Sequence, residues 1–351
     1  MFKVGRPEWA TCAQGDLGDY VTALVWSPQG DALAAISGVG HLQLWSPPNG
    51  WRTLRPADGF SLDAVGFAPT GQVLATAGQA GRVEIWDLAQ GKPWVIEHSG
   101  QWIDRLAWHP THPQLAFNLG THVQIWDTAG RQLEATLPLE GGAASGLIWH
   151  PQGSHLAVGT GAGVLIWPAG AWEEDPHRLA TPAAVLNLAW SPSGQYLAAG
   201  LLDRSLRVWP QDLNDPWAMT GFPAKIRHLL WSEALGGGTP RLASTSADGL
   251  VVWSRHRREA EGWQSHVLQG HTDTVQALGF QPGTLMLATA GREGRLCMWS
   301  DSYRRVQTLE QDQPLTTLAW QPQGKLLAAG TETGIVLLWQ PSQRGRGFGR
   351  P

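Results

Sequence analysis

An all-β fold built from repeated four-stranded antiparallel sheets is predicted by three features of this 351-residue chain. Two series of aromatic residues recur eight times at a nearly constant period. A fixed order of apolar and turn-forming stretches separates them. No segment of ten or more residues carries the periodicity of an amphipathic helix. The first series is Trp26, Phe67, Trp108, Trp149, Trp190, Trp231, Phe280 and Trp320, at steps of 41, 41, 41, 41, 41, 49 and 40 residues. The second is Trp45, Trp86, Trp126, Trp167, Trp209, Trp253, Trp299 and Trp339, each 18 to 22 residues after its partner. Such a period marks an array of like units that bury their apolar faces on one another.

Each unit opens with an alternating strand, as in VTALVWS, IDRLAWH and LTTLAWQ. Turns such as SPQG, APTG, HPQG, SPSG and QPQG follow; proline at the second position pre-sets φ, and glycine at the fourth favours a type I turn. A second strand of small apolar residues comes next, as in ALAAIS, VLATAG and YLAAGL. A hairpin then leads to a third strand ending on the second aromatic, as in VEIWD, LRVWP and VLLW. A less regular fourth strand, such as RQLEATLPL, completes the unit. Four strands per period of about 41 residues make one blade of a β-propeller. A lone four-stranded sheet cannot bury both of its faces, whereas blades in a ring cover each other. Small second-strand residues let blades approach closely. The tryptophans read as core, each able to cover about 150–250 Å².

The pattern resembles the WD-repeat (WD40) family from about residue 8 to 340. The dipeptide of that name stands at Trp86-Asp87 and Trp126-Asp127, and the Gly-His signature at Gly270-His271, followed by Thr272-Asp273. The family's hairpin Asp appears at Asp203 and Asp248, with Glu293 as a near-substitute; Val39, Ala80, Gly120, Gly161 and Thr333 stand elsewhere. The family's buried Asp-His-Ser/Thr-Trp network is therefore mostly missing, and the blades are expected to rely more on apolar packing. Eight repeats with both marker aromatics predict eight blades, with seven as the alternative. EWATCAQG (8–15) is expected to be the outermost strand of the last blade, closing the ring and removing free sheet edges. The organisation expected is one propeller over 8–340 and a disordered Gly/Arg tail over 341–351, whose composition buries nothing. Its alternative role is an arm for an acidic partner or RNA.

Composition narrows function. The net charge of −4 offers no basic footprint for nucleic acid and no cationic face for a membrane surface. Charged residues are only 15% of the chain, and 21 tryptophans stand against three tyrosines and seven phenylalanines. Two cysteines, Cys12 and Cys297, form no disulfide framework. The opening MFKVGRPEWATCAQG has no apolar signal core, and no run is long enough to span a bilayer, so a cytoplasmic location is expected.

No catalytic motif stands out. There is no nucleophile elbow, phosphate-binding loop, CxxC pair or HExxH, and GTGAG at 159–163 is a hairpin turn. No enzyme activity and no cofactor are expected. His109 and His112 in WHPTHP, with His150 and His155 in WHPQGSH, are a weak candidate metal set, because turns of consecutive blades could bring four imidazoles together. The alternative is that His109 and His150 replace the turn-opening Ser of other repeats and face water.

The resemblance implies a non-catalytic scaffold that shows loops to one or more protein partners. In this topology the fourth-to-first-strand connections and the second-to-third-strand hairpins share one face around the central channel. That face is expected to present Tyr20, Phe60, Asp63, Trp102, Asp104, Phe222, Lys225 and Arg227 from the connections and first strands. Arg82, Arg204, Arg292 and Arg295 come from the hairpins. Trp102 belongs to neither aromatic series, and a loop tryptophan beside arginines fits an interface hot spot. Packing against the next blade is its alternative. A small-molecule or enzymatic use of the channel would rest on Asp63, Asp104 and Arg227. The stretch 254–266 is a second candidate epitope on the opposite face. Trp51, Trp94, Trp172, Trp217 and Trp263 are assigned to packing near the rim.

Overall fold

In the computed structural model, residues 8–247, 249–256 and 262–342 are described. They form eight four-stranded antiparallel sheets. The first strands of blades 1 to 8 are Val21–Trp26, Leu62–Phe67, Leu106–Trp108, Gly146–Trp149, Val185–Trp190, His228–Trp231, Val275–Phe280 and Leu315–Trp320. Each first strand contacts the first strands of both neighbouring blades, so these eight strands form the inner wall of a closed ring. The chain is an eight-bladed propeller, and no helix occurs among the described residues.

Closure follows the expected route. Strand Trp9–Asp16 pairs antiparallel with the last strand, Ile335–Pro341, from Trp9↔Pro341 to Asp16↔Ile335. The last strand thus runs one residue past the expected boundary, and positions 343–351 of the expected tail lie outside the described residues. Trp9 packs edge-on against Trp320 at 5.0 Å between ring centroids. Its backbone is clamped by Gln307 of blade 7, with Trp9 N donating to Oε1 at 2.9 Å and Nε2 donating to Trp9 O at 3.0 Å.

Packing between blades explains the small second strands. Ala34, Ala35, Ala198, Ala199, Ala328 and Ala329 have no solvent exposure. A Cβ added to Gly159 or Gly330 would lie 2.6 or 2.5 Å from Val185 or Val21 in the next blade, closer than packed atoms tolerate. The tryptophans are core, but the first series also does polar work. The indole N–H of Trp26, Trp108, Trp149, Trp231 and Trp320 donates to the backbone of the preceding blade at Ala319, Gly66, Ala107, Ala189 and Gly279, at 2.8–3.1 Å. Each such buried bond is worth about 1 kcal/mol. The polar network expected within blades survives in blade 7. There His271 Nδ1 meets Glu293 at 2.6 Å, its Nε2 meets Thr289 Oγ1 at 2.7 Å, and Trp299 Nε1 donates to that hydroxyl at 3.0 Å. Much of the polar bonding has instead moved to the seams between blades.

Candidate functional site

The loop face is assembled by backbone pairing between each hairpin and the connection beside it. Gly38 N donates to Tyr20 O, His98 N to Gly81 O, Leu202 N to Ala184 O, and Glu332 N to Pro314 O. These bonds hold the connections at the channel mouth. Tyr20, Phe60 and Trp102 lie just ahead of the first strands of blades 1, 2 and 3, exposed by 39%, 51% and 61%. The places corresponding to Tyr20 and Trp102 hold Ser61, next to Phe60, in blade 2 and Ala143, Ala184, Lys225, Thr274 and Pro314 in the other blades. Three exposed aromatics on consecutive blades make the face asymmetric.

Trp102 is braced across the seam. Its Nε1 donates to Asp63 Oδ2 of blade 2 at 2.8 Å, and Ser61 Oγ donates to the same oxygen at 2.9 Å. The ring is therefore aimed while most of it stays in water. Asp104 accepts from Asn118 Nδ2 at 2.8 Å and pairs with Arg105 at 3.0 Å. Asp63, Asp104 and Arg227 occupy one register position on the inner wall, four residues before the first aromatic of their blades. Arg82 pairs with Glu97 at 3.2 Å, Arg292 with Glu332 at 3.5 Å, and Arg295 with Glu310 at 3.4 Å. Arg204, Lys225 and Arg227 are exposed and form no ion pair among the described residues. The face thus has an aromatic side on blades 1–3 and a cationic side on blades 5 and 6.

Phe222 does not belong to this surface. It is 7% exposed and packs with Met219, Ile226 and Trp253 in the core between blades 5 and 6, its ring 5.8 Å from that of Trp253. An apolar ring beside Met219 and Ile226 gains more by covering the blade than by facing water. Asp248 and residues 257–261 of the candidate 254–266 epitope lie outside the described residues. Within that stretch, the third strand continues to Arg255 and the fourth begins at Trp263, whose ring packs inward on Tyr196, Trp217 and Trp231.

The channel is lined with first-strand residues. Arg227, His228, Asn187, Gln276, Thr22 and Thr316 border a cavity of about 370 Å³. His228 is pushed down to about 4, first by burial and then by the neighbouring Arg227 charge, so it is neutral at physiological pH.

The histidine pairs do not converge into a four-imidazole site. No group of three or more His, Cys, Asp or Glu side chains able to hold a metal occurs among the described residues. Nor do His109 and His150 face water; both are buried. His109 Nε2 donates to Gly153 O in the next blade at 3.0 Å, while Nδ1 accepts the N–H of Thr111 and His112. Those roles require the neutral ring, and burial pushes both imidazoles below the usual histidine range. The turn-opening position points across a seam, which one repeat read alone does not show.

The eight sheets and their ring of first strands define a β-propeller. A family model described as "WD domain, G-beta repeat" matches residues 176–210, 262–300 and 303–340. With the ring of eight blades, these matches make the chain a β-propeller with three segments similar to WD repeats. It is similar to the protein transport protein sec13 of Emericella nidulans, 25% identical over 139 residues, covering 37% of this chain and 44% of that one. The human "Protein SEC13 homolog" is 23% identical over 108 residues, 29% of this chain and 34% of its own length. "Periodic tryptophan protein 2" of Arabidopsis thaliana is 24% identical over 140 residues, 39% and 15% of the two chains. The matched segments thus span less than half the length of these relatives. Among solved structures, the computationally designed Ika8 protein superposes with a TM-score of 0.74 at 19% identity, covering 92% of this chain and 96% of that one. That likeness concerns the fold alone. No helix of the described residues is long and apolar enough to cross a membrane.

Proposed function

We propose that this chain is a non-catalytic, cytoplasmic scaffold that binds one or more proteins through the loop face around its channel. One observation carries the reading: Tyr20, Phe60 and Trp102 are exposed in the connections ahead of the first strands of three consecutive blades, with Trp102 held by Asp63. An ordered aromatic standing in water already has its orientation set, so little conformational entropy is lost when a partner covers it. Opposite them, Arg204, Lys225 and Arg227 offer cations for orientation and encounter. The relatives that include a protein transport protein fit a role in assemblies. The test is affinity purification from native lysate with the wild type beside a Trp102→Ala, Arg227→Ala double variant. Both side chains are exposed, so the variant should fold. Partners held by the wild type and lost from the variant support the reading; equal recovery from both counts against it.

A further inference from the structure

The turns between first and second strands lie on the face opposite the loop face. There, side chains latch one blade to the next. Gln29 Nε2 donates to Thr70 O at 3.2 Å, His109 Nε2 to Gly153 O at 3.0 Å, and Gln152 Nε2 to Ser193 O at 3.3 Å. Gly283 N donates to Glu233 at 3.1 Å, Gln281 Nε2 to Gly324 O at 2.7 Å, and Gln321 Nε2 to Gly30 O at 2.7 Å. The turn glycines make room: a Cβ on Gly153 would fall 2.3 Å from the His109 ring. Among the described residues, two of the eight seams have no such latch, those between blades 5 and 6 and between blades 2 and 3.

Blades 5 and 6 fill their seam with rings. Tyr196 stacks on Trp231 at 5.5 Å and 19°, and Trp263 meets both edge-on. Arg255 of blade 6 lies over Trp217 of blade 5 at 4.2 Å. The seam between blades 2 and 3 repeats the frame without the filling. Trp94 stands eight residues after Trp86, as Trp217 stands eight after Trp209, and Arg131 of blade 3 lies over Trp94 at 5.6 Å. But Val73 opens the second strand where Tyr196 does, and Gln132 opens the fourth where Trp263 does. The latch is absent from both sides: Ala68 opens the turn of blade 2, and His112 stands where five other turns have Gly30, Gly71, Gly153, Gly194 and Gly324. What remains is a cavity of about 400 Å³, walled by Ala68, Val73, Ile85, Trp94, Pro113 and Ala129. Blades 5 and 6 keep a groove of about 450 Å³ farther along Trp217–Thr220, but neither Tyr196 nor its turn lines it.

We propose that the cavity between blades 2 and 3 is a docking site for an aromatic side chain of a protein partner, with a carboxylate beside it in the partner's sequence. The volume lies at the lower end of the range for binding pockets. The seam between blades 5 and 6 shows what completes such a frame: a ring against the core aromatic, with an arginine over the fourth-strand tryptophan. The charge at the mouth selects the flanking group. Asp87 is occupied by the N–H groups of Ala89 and Gln90 and the Gln90 side chain. Arg131 is exposed and has no ion pair among the described residues, so it is free to meet an acid. The site lies on the face opposite the proposed scaffold surface and does not depend on it.

The test is fluorescence polarisation with a labelled probe peptide, Gly-Ser-Glu-Asp-Phe-Asp-Glu-Ser-Gly, against the intact chain. Control probes replace Phe by Ala, or the four acids by Lys. Val73→Tyr supplies the missing ring from within; it should keep or raise the melting temperature and weaken probe binding by about tenfold or more. Arg131→Glu, at an exposed position, should weaken it by about tenfold. Trp102→Ala, Arg227→Ala should leave it unchanged, which separates this site from the loop face. Equal binding by wild type and Val73→Tyr, or by the Phe and Ala probes, would overturn the proposal. So would 3-phenylpropanoate binding as tightly as the peptide, because the site would then take a free aromatic acid.

Discussion

The seam between blades 5 and 6 and the seam between blades 2 and 3 share a frame and differ in contents. Both carry a fourth-strand tryptophan eight residues after the marker, and both place an arginine of the next blade over it. One is filled beside the turns by Tyr196 and Trp263 and keeps its groove farther along Trp217–Thr220; the other, with Val73 and Gln132 in those places, holds a cavity beside the turns. The repeat therefore dictates strands and their order, while single positions at the edge of the repeat decide how each blade is joined to the next. A propeller of near-identical blades becomes an asymmetric object through these few residues. The loop face shows the same logic, with aromatics on three blades and small or cationic residues on the others.

Four measurements would break or sharpen that comparison. The largest effect is expected from Trp263→Ala, which removes a ring touching Tyr196, Trp217 and Trp231. It should cost about 3–5 kcal/mol in denaturant unfolding, whereas Trp94→Ala, beside a cavity that can already relax, should cost about 1–3. The reverse order would show that the frames are not equivalent. Next comes acid. His109 and His150 are neutral in the fold because burial lowers them, so the unfolded chain binds more protons below its own histidine value of about 6.5. Their contribution is complete above that pH and is lost as pH falls through the window towards their lowered native values. Protection factors, corrected for the pH dependence of intrinsic exchange, should thus fall in the turns at 109–112 and 150–155 between pH 7 and 5, while the aromatic seam at 196, 231 and 263 keeps its protection. Uniform loss would contradict this.

A smaller effect tests the latch. Ala68→Gln alone should gain nothing, because His112 stands where the accepting turn needs glycine. Combined with His112→Gly, the pair should show a coupling of about 1 kcal/mol in a double-mutant cycle. Additive single effects would mean that the seam is open for another reason. Smallest is Asp63→Asn. Its bond to Trp102 is largely exposed, so it should cost less than about 1 kcal/mol of stability while loosening the Trp102 ring. Retained partner recovery with this variant would remove the reason for calling Trp102 pre-oriented.

Much of the molecule was legible in the residues themselves. Paired aromatics at a constant step marked all eight blades, and EWATCAQG was placed correctly because the last repeat lacks an outer strand of its own. Exposure of Tyr20, Phe60 and Trp102 followed from their lying in connections outside both series. Phe222 was misplaced because a connection can fold inward when Met219 and Ile226 offer it an apolar bed. The indole bonds to the preceding blade were missed because donor and acceptor lie about 40 residues apart, or at the two ends of the chain for Trp26 and Ala319. They meet only once the ring has set the angle between blades. His109 and His150 were misread for the same reason: the turn motif gives their place on the chain but not the blade their side chains reach.

Local chemistry alone determined the number of blades, the order of strands and the direction in which each face turns. These depend on a two-residue alternation and on turn residues that act within a few positions of one another. What only the assembled ring decided is which side chains meet across a seam, because that depends on the curvature set by all eight blades together. The cavity beside Trp94 is the clearest case: Ala68, Val73 and His112 are unremarkable one by one, and become an opening only when their neighbours have nowhere nearer to go.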